Sequence, residues 1–435
     1  MSVRNKLWKI KPNNIQIEKI KQYDPLLNQL LINRGIIDFS ARKKFLDTSL
    51  FDLHDPYKLL DMDKAVNRIK NAIKQKQKIL VYGDYDVDGI TSVSILYMIL
   101  KELGANVVYY IPNRLDEGYG LNTEAIEKIL NDDVDLIVTV DCGINSINEV
   151  ELVNKRNRDI IITDHHQCSD VLPEAYSVIN PNQRDCNYPF KHLAGAGVSF
   201  KLASALAQEM DRYEIIKDII DLAALGTVAD VVTLLGENRI IVKNGLDKMR
   251  THPNIGIEAL AKVSGVDISN INTYHLSFIL GPRLNAAGRL SNPNIGVELL
   301  TTDDREQAYE MAKVLNEINM KRQKIENDII EEAINLINRE VNLKREKVIV
   351  LAADNWHIGV IGIVASKITE KYNLPTVLIS VDGDIGRGSA RSVPNFDLYK
   401  AMSRCSFLFE KFGGHQMAAG FVIKKENISK LKNLI

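Results

Sequence analysis

An α/β protein with a parallel sheet, joined by a long helix to a second, smaller α/β domain, is implied by three features of this 435-residue sequence. Short β-rich runs alternate with helical periodicity from Lys78 onward, residues 303–342 contain neither glycine nor proline, and strand-like runs resume at Lys347. Alternation of this kind builds parallel strands, because each crossover helix returns the chain to the edge where the previous strand began. The length is about three times the commonest domain size, so several domains are expected. The divisions fall at 1–75, 76–302, 303–342 and 343–435.

Within 1–75, apolar residues recur at helical spacing over 24–34 and stop at Gly35, Ser40 is placed to cap a short helix, and Asp63 opens an amphipathic helix to about Gln75. Residues 79–82, 106–111, 135–140 and 159–162 are the strands, and a helix begins near Thr91. A mostly helical half follows, with helices at 200–210, 214–225 and 238–249. The run 303–342 carries Met311, Leu315, Ile318, Ile325, Ile329, Ala333 and Leu336 on roughly one stripe, as a rigid spacer would. Residues 347–352 and 376–381 are strands with a helix at 359–372 between them. The chain stops inside a starting helix from Asn427, as a truncated chain would.

Hydrophobic residues make up 45% and charged residues 26%, which excludes a disordered chain. Lys plus Arg number 55 against 56 Asp plus Glu, so a basic coat is excluded while a local basic groove is not. No run reaches the ~18 apolar residues of a membrane span and no secretory signal opens the chain, so a cytoplasmic protein is expected. Cys142, Cys168, Cys186 and Cys405 lack CxxC spacing and read as reduced thiols.

Chemistry concentrates at the carboxyl ends of the strands, where such sheets bind ligands. Gly83-Asp84-Tyr85-Asp86-Val87-Asp88-Gly89 follows the first strand, Asp141 the third, and Asp164-His165-His166 the fourth. Read as extended chain, the first segment presents alternate carboxylates on one side. Crowded like charges call for a cation. Oxygen donors with imidazole suit Mn²⁺, with Mg²⁺ as the harder alternative, and two ions would steady an in-line attack on phosphorus. Asp230, in Gly226-Thr227-Val228-Ala229-Asp230, follows an apolar helix and is placed to complete the ligand set of the second metal. A calcium loop starting at Asp84 would need Glu at position 12, where Ile95 stands.

The succession Asp-x-Asp-Gly, Val-Asp-Cys-Gly, Asp-His-His and Gly-Thr-Val-Ala-Asp resembles the DHH phosphoesterase superfamily. With residues 281–289, Gly-Pro-Arg-Leu-Asn-Ala-Ala-Gly-Arg, and 386–392, Gly-Arg-Gly-Ser-Ala-Arg-Ser, it resembles more closely the RecJ family of single-strand-specific 5′ to 3′ exonucleases. The resemblance implies a DHH domain at 76–302 and a DHHA1 substrate-binding domain at 343–435. It implies Asp86, Asp88, Asp141, His165 and Asp230 as metal ligands, with Asp84 supporting, Asp141 bridging two Mn²⁺ ions, and His166 facing the scissile phosphate. The catalytic set is then His166, Asp141 and Asp86. Some small-phosphoester members carry a metal-binding His four residues before the first Asp of the pair; Tyr82 stands there instead, which favours the exonuclease branch.

For nucleic acid, Arg387, Ser389, Arg391 and Ser392 offer two guanidinium groups and two hydroxyls on a glycine-rich backbone suited to a phosphate, and Gly413, Gly414 and His415 permit close approach. Arg114 and Tyr119 follow the second strand, and Arg283, Asn285 and Arg289 share a second glycine-rich loop. Arginine–phosphate contacts with stacking on tyrosine carry weak base preference. The resemblance further implies a 5′-ended single strand of DNA as substrate, a role in repair and recombination, a monomer working with a RecQ-type helicase and a single-strand-binding protein, and an OB-fold beyond this chain. The competing reading is a DHH/DHHA1 phosphodiesterase or phosphatase for short oligonucleotides, cyclic dinucleotides or nucleotide bisphosphates.

Overall fold

In the computed structural model, which describes residues 23–114, 117–118 and 120–435, α1 (Pro25–Asn33) and α2 (Phe39–Leu46) precede α3 (Met62–Lys74). Asp24 and Asp38 cap the first two helices, Asp38 accepting from the Ala41 N–H. Ser40 lies inside α2 and is not the cap, because the extended Asp38 already offers a carboxylate to the first turn.

Five strands follow: β1 (Lys78–Tyr82), β2 (Asn106–Tyr110), β3 (Leu136–Val140), β4 (Asp159–Thr163) and β5 (Ser177–Ile179). They pair in the order β2-β1-β3-β4-β5, every neighbour parallel. β5, three residues long, is too short to show a sequence period. The crossovers are α4 (Val87–Glu102), α5 (Thr123–Asn131) and α6 (Ile147–Lys155). Side chains alternate across the sheet: Ile79, Val81 and Val138 join a core with α3 and α4, while Leu80, Tyr82 and Ile137 join one with α5 and α6. The strand order reverses between β1 and β3, so a crevice opens beyond their carboxyl ends. Asp84 and Asp141 stand at those ends.

The helical half contributes α7 (Gly195–Glu209), α8 (Ile216–Ala229), α9 (Gly236–Thr251) and α10 (Ile255–Val263). Next, α11 (Thr273–His275) runs through a π-helix (Leu276–Leu280) into α12 (Gly281–Leu290), followed by α13 (Asn294–Thr301). Residues 281–289 are therefore helix rather than a glycine-rich loop. Pro282 falls in the first turn, where its missing N–H costs no helical hydrogen bond.

One uninterrupted helix, α14 (Arg305–Glu340), spans 36 residues, or about 54 Å. Ala308, Ala312 and Leu315 lie in the core of the first domain, and Ile329, Ala333, Leu336 and Ile337 in that of the second. Between these halves Arg322 is buried against Asn319 and Glu326, and Glu326 also takes Lys367 from the second domain. That domain comprises β6 (Ile349–Asp354), α15 (Ile358–Tyr372), β7 (Thr376–Asp382), β8 (Ile385–Arg391), α16 (Leu398–Ser403), β9 (Phe409–His415), β10 (Ala418–Lys424) and α17 (Ile428–Leu434). Its sheet runs β6-β7-β8-β10-β9, with only the β6–β7 pair parallel. The expected phosphate loop at 386–392 is thus mostly strand β8. Gly388 pairs with Phe421, whose ring occupies the place of a Cβ at 2.0 Å, so this glycine makes room for an aromatic core residue. Alternation then puts Arg387, Ser389 and Arg391 on the opposite face.

A buried ionic network ties the N-terminal segment to the first domain. Glu237 accepts from Lys201 at 2.6 Å, the Tyr188 hydroxyl at 2.6 Å and the His54 N–H at 2.9 Å, while Lys201 also donates to the His54 carbonyl. Burial pushes the Lys201 ammonium below its ordinary pKa, and Glu237 opposes that shift. Glu237→Ala would strand a buried cation and is expected to lower unfolding free energy by about 3–5 kcal/mol in a denaturant titration. The apolar pair Lys201→Met with Glu237→Leu should cost far less; equal losses would show that packing, not charge, matters here.

Candidate active site

The loop after β1 and the first turn of α4 carry the first carboxylates. Asp86 is the N-cap, accepting from the Gly89 N–H at 3.0 Å, and Asp88 lies inside the first turn. The helix starts at Val87 rather than near Thr91, so Asp84, Asp86 and Asp88 do not line one side of an extended segment. The turn instead directs Asp88 toward α7, where the N–H groups of Gly195 and Ala196 donate to it at 2.7 and 2.8 Å. A helix N-terminus, with its unpaired amides and partial positive charge, suits this carboxylate. A Cβ at Gly195 would fall 2.4 Å from Asp141 Oδ1, so a glycine is required for the helix to approach so closely.

Asp141 follows β3 with φ 60°, a left-handed conformation uncommon for residues other than glycine, though Asp and Asn adopt it most readily. Asp230 is the C-cap of α8. His165 joins them: its Nε2 stands 3.1 Å from Asp141 Oδ1, 3.7 Å from Asp88 Oδ2 and 3.8 Å from Asp230 Oδ2. Donor atoms of Asp88, His165 and Asp230, and of Asp141, His165 and His166, converge closely enough to surround an ion.

Asp164 makes the two histidines different. Its buried carboxylate accepts from the N–H groups of His165, His166 and Ile144 and from His166 Nδ1 at 2.7 Å. Burial alone would raise its pKa, but the bond to and charge of His166, with the backbone donors, bring it below the ordinary value. Burial likewise disfavours charge on His166, yet Asp164, with Asp230 and Asp88, raises its pKa to about 9. These partners favour the protonated form of His166 at neutral pH. Burial, and then the charge of His166, push His165 down to about 4, leaving the neutral imidazole that binds metals.

Burial first, and neighbouring carboxylates second, hold Asp84, Asp88 and Asp141 well above the usual carboxylate range and Asp230 at about 7. Asp84 Oδ1, Asp141 Oδ1 and His165 Nε2 are buried without a hydrogen-bond partner among the described residues; the last two stand close together but do not bond. Mutually repelling carboxylates, orphaned acceptors and a neutral imidazole are what a divalent cation would satisfy, and this oxygen-rich donor set fits Mn²⁺ or Mg²⁺.

Arginines gather near this acidic group, and Arg114 acts directly on the charge of Asp84. The Arg114 guanidinium lies 5.2 Å over the Tyr85 ring. Burial, then Arg114, Arg322 and Arg391, lower Arg289 to about 10, and burial, then Arg114, lower Arg391. None of Arg114, Arg289 and Arg391 has a carboxylate partner among the described residues; Arg289 donates to the Gly359 carbonyl at 3.1 Å and Arg391 to Ser389 Oγ at 3.1 Å. Arg114 and Arg387 line a cleft of about 530 Å³ between the two domains. His165 opens onto another, about 620 Å³, with Asn182, Lys191 and His192.

Other expected contact residues make hydrogen bonds within the chain. Arg283 donates to the Ile279 carbonyl and to Asn316 of α14, Ser392 is buried and donates to the Phe396 carbonyl, and Asn285 accepts from the Val87 N–H. Gly413, Gly414 and His415 form the end of β9, paired with β10. Tyr119 lies outside the described residues. Sequence reasoning assigned no role to Asp164, Gly195 or Ala196. The first is part of Asp-His-His itself, and the others open a helix in Ala-Gly-Ala-Gly, a pattern that signals close backbone approach.

Residues 78–227 match the DHH family, N-terminal domain, and residues 345–435 the DHHA1 domain. The single-stranded-DNA-specific exonuclease RecJ of Bacillus subtilis is 39% identical over 98% of this chain, which spans 54% of that protein's length. RecJ of Haemophilus influenzae is 37% identical over 98% of this chain and is itself covered over 76%. A crystal structure of exonuclease RecJ bound to manganese superimposes with a TM-score of 0.79 at 33% identity, over 89% of this chain and 95% of that one. Fold, site and relatives agree: the chain belongs to the RecJ family.

Proposed function

We propose that this chain is a metal-dependent exonuclease that hydrolyses single-stranded DNA from the 5′ end to 5′-mononucleotides, serving DNA repair and recombination in the cytoplasm. The observation that carries the reading is the convergence of Asp88, Asp141, His165 and Asp230 with orphaned donor atoms, near arginines that lack carboxylate partners among the described residues. The names of the relatives support the substrate class. No described helix is long and apolar enough to cross a membrane. The polarity, the monomeric state, and cooperation with a helicase and a single-strand-binding protein belong to the same proposal.

Asp86, Asp88, Asp141, His165 and Asp230 would hold Mn²⁺ or Mg²⁺, with Asp84 in support. Bound there, the metal supplies Lewis acidity that offsets phosphate charge and acidifies water. The remaining work falls to the chain's own side chains. His166, kept cationic and oriented by Asp164, offers its other ring N–H to a phosphate oxygen or a proton to the leaving oxygen. Arg114, Arg289 and Arg391 would grip phosphates without reading bases.

His166→Ala is expected to lower kcat by about 10²- to 10⁴-fold on a 5′-labelled single strand with Mn²⁺. Asp141→Ala should fall to the level of chelator-treated protein with circular dichroism unchanged; substantial remaining turnover would remove Asp141 from the metal centre. Arg391→Ala should weaken single-strand binding and reduce the slope of log affinity against log salt by about 1, whereas an unchanged slope would remove it from the phosphate contacts. Turnover on a 20-mer should exceed that on a dinucleotide with the same ends; the reverse order would favour the small-substrate phosphodiesterase.

A further inference from the structure

We infer that Asn285 is a positioning residue for the metal centre rather than a nucleic-acid contact, an inference that rests on the functional reading above. Gly281, Asn285 and Gly288 are spaced by four and three residues, so they share one face of α12. A Cβ at Gly288 would fall 2.7 Å from the Tyr85 carbonyl oxygen, while one at Gly281, crowded first by the Leu276 carbonyl oxygen at 2.9 Å, would be in ordinary contact with Val87 Cγ2 at 3.9 Å. The helix therefore lies with its backbone against residues 85–87. Between the two glycines, Asn285 Oδ1 accepts from the Val87 N–H at 3.1 Å.

Val87 is the first residue of α4, and its N–H is one of the four that no carbonyl within the helix can serve. The Asp86 cap serves Gly89 instead, and Val87 is only 1% exposed, so water is a poor substitute. Asp86 and Asp88 flank Val87, and the backbone angles at Val87 set the direction of one carboxylate relative to the other. A side chain 198 positions away along the sequence thus fastens the turn that carries both ligands. Its loss leaves a buried N–H without an acceptor and lets that turn relax.

The test is Mn²⁺ binding to the DNA-free chain by titration calorimetry, comparing wild type, Asn285→Ala and Asn285→Asp. Asn285→Ala is expected to weaken Mn²⁺ binding by about 10- to 100-fold, as loss of groups that orient ligands does elsewhere. Asn285→Asp, which keeps the acceptor oxygen, should stay within about a few-fold of wild type on the same reasoning. In turnover, Asn285→Ala should lose kcat while KM for the strand holds, with recovery at high Mn²⁺. Unchanged Mn²⁺ affinity, or a raised KM with normal Mn²⁺ affinity, overturns the assignment. Should the alanine variant not fold, hydrogen exchange in the metal-free wild type decides: the Val87 amide should be protected like the interior of α4, and exchange at the rate of an open loop overturns the inference. A wild-type chain that binds no Mn²⁺ would sink the metal reading itself, and with it this inference, before any substitution is compared.

Discussion

Electrostatic repulsion among carboxylates gathered where water is scarce is the constraint around which this molecule is organised. Asp84, Asp88 and Asp141 are each nearly inaccessible, and burial and mutual repulsion both oppose their ionisation. Left to themselves they would separate or take up protons. The fold opposes separation by fixing carboxylates through backbone: Asp88 lies beneath two helix-terminal amides and Asp141 at a left-handed corner, while the neighbouring Asp164 sits in a ring of donors. Rigidity of that kind costs stability, and the large cores on both faces of the parallel sheet offset it.

Two neighbouring histidines show how environment divides labour. The hydrogen bond to Asp164 favours the cationic form of His166, while burial, and then the charge of His166, favour the neutral form of His165. The arginines set positive charge beside the same acidic group: Arg114 lies over Tyr85, next to Asp84 and Asp86 in the chain, and Arg289 reaches the second domain through the Gly359 carbonyl.

Much of this was legible in the sequence. Alternating strands and helices, the long linking helix and the acidic residues at strand ends could all be read from period and placement, because each is a local pattern. The failures were also local in origin. Residues 281–289 and 386–392 look like loops because glycine is a turn former, yet in both segments glycine serves close packing, against a carbonyl in one and against an aromatic ring in the other. The partners that decide this, Tyr85 and Phe421, are distant in sequence. Asp164 was visible but not recognised, since its role is to hold a neighbour rather than to bind anything itself.

The helix α14 has a mechanical consequence. One end is embedded in the first hydrophobic core and the other in the second, with a buried ionic cluster at its middle. Parting the two domains would mean bending a rod or extracting an end from its socket, and neither is a cheap deformation. The separation of the two cores is thus set by the helix itself, as a strut sets the spacing of two plates.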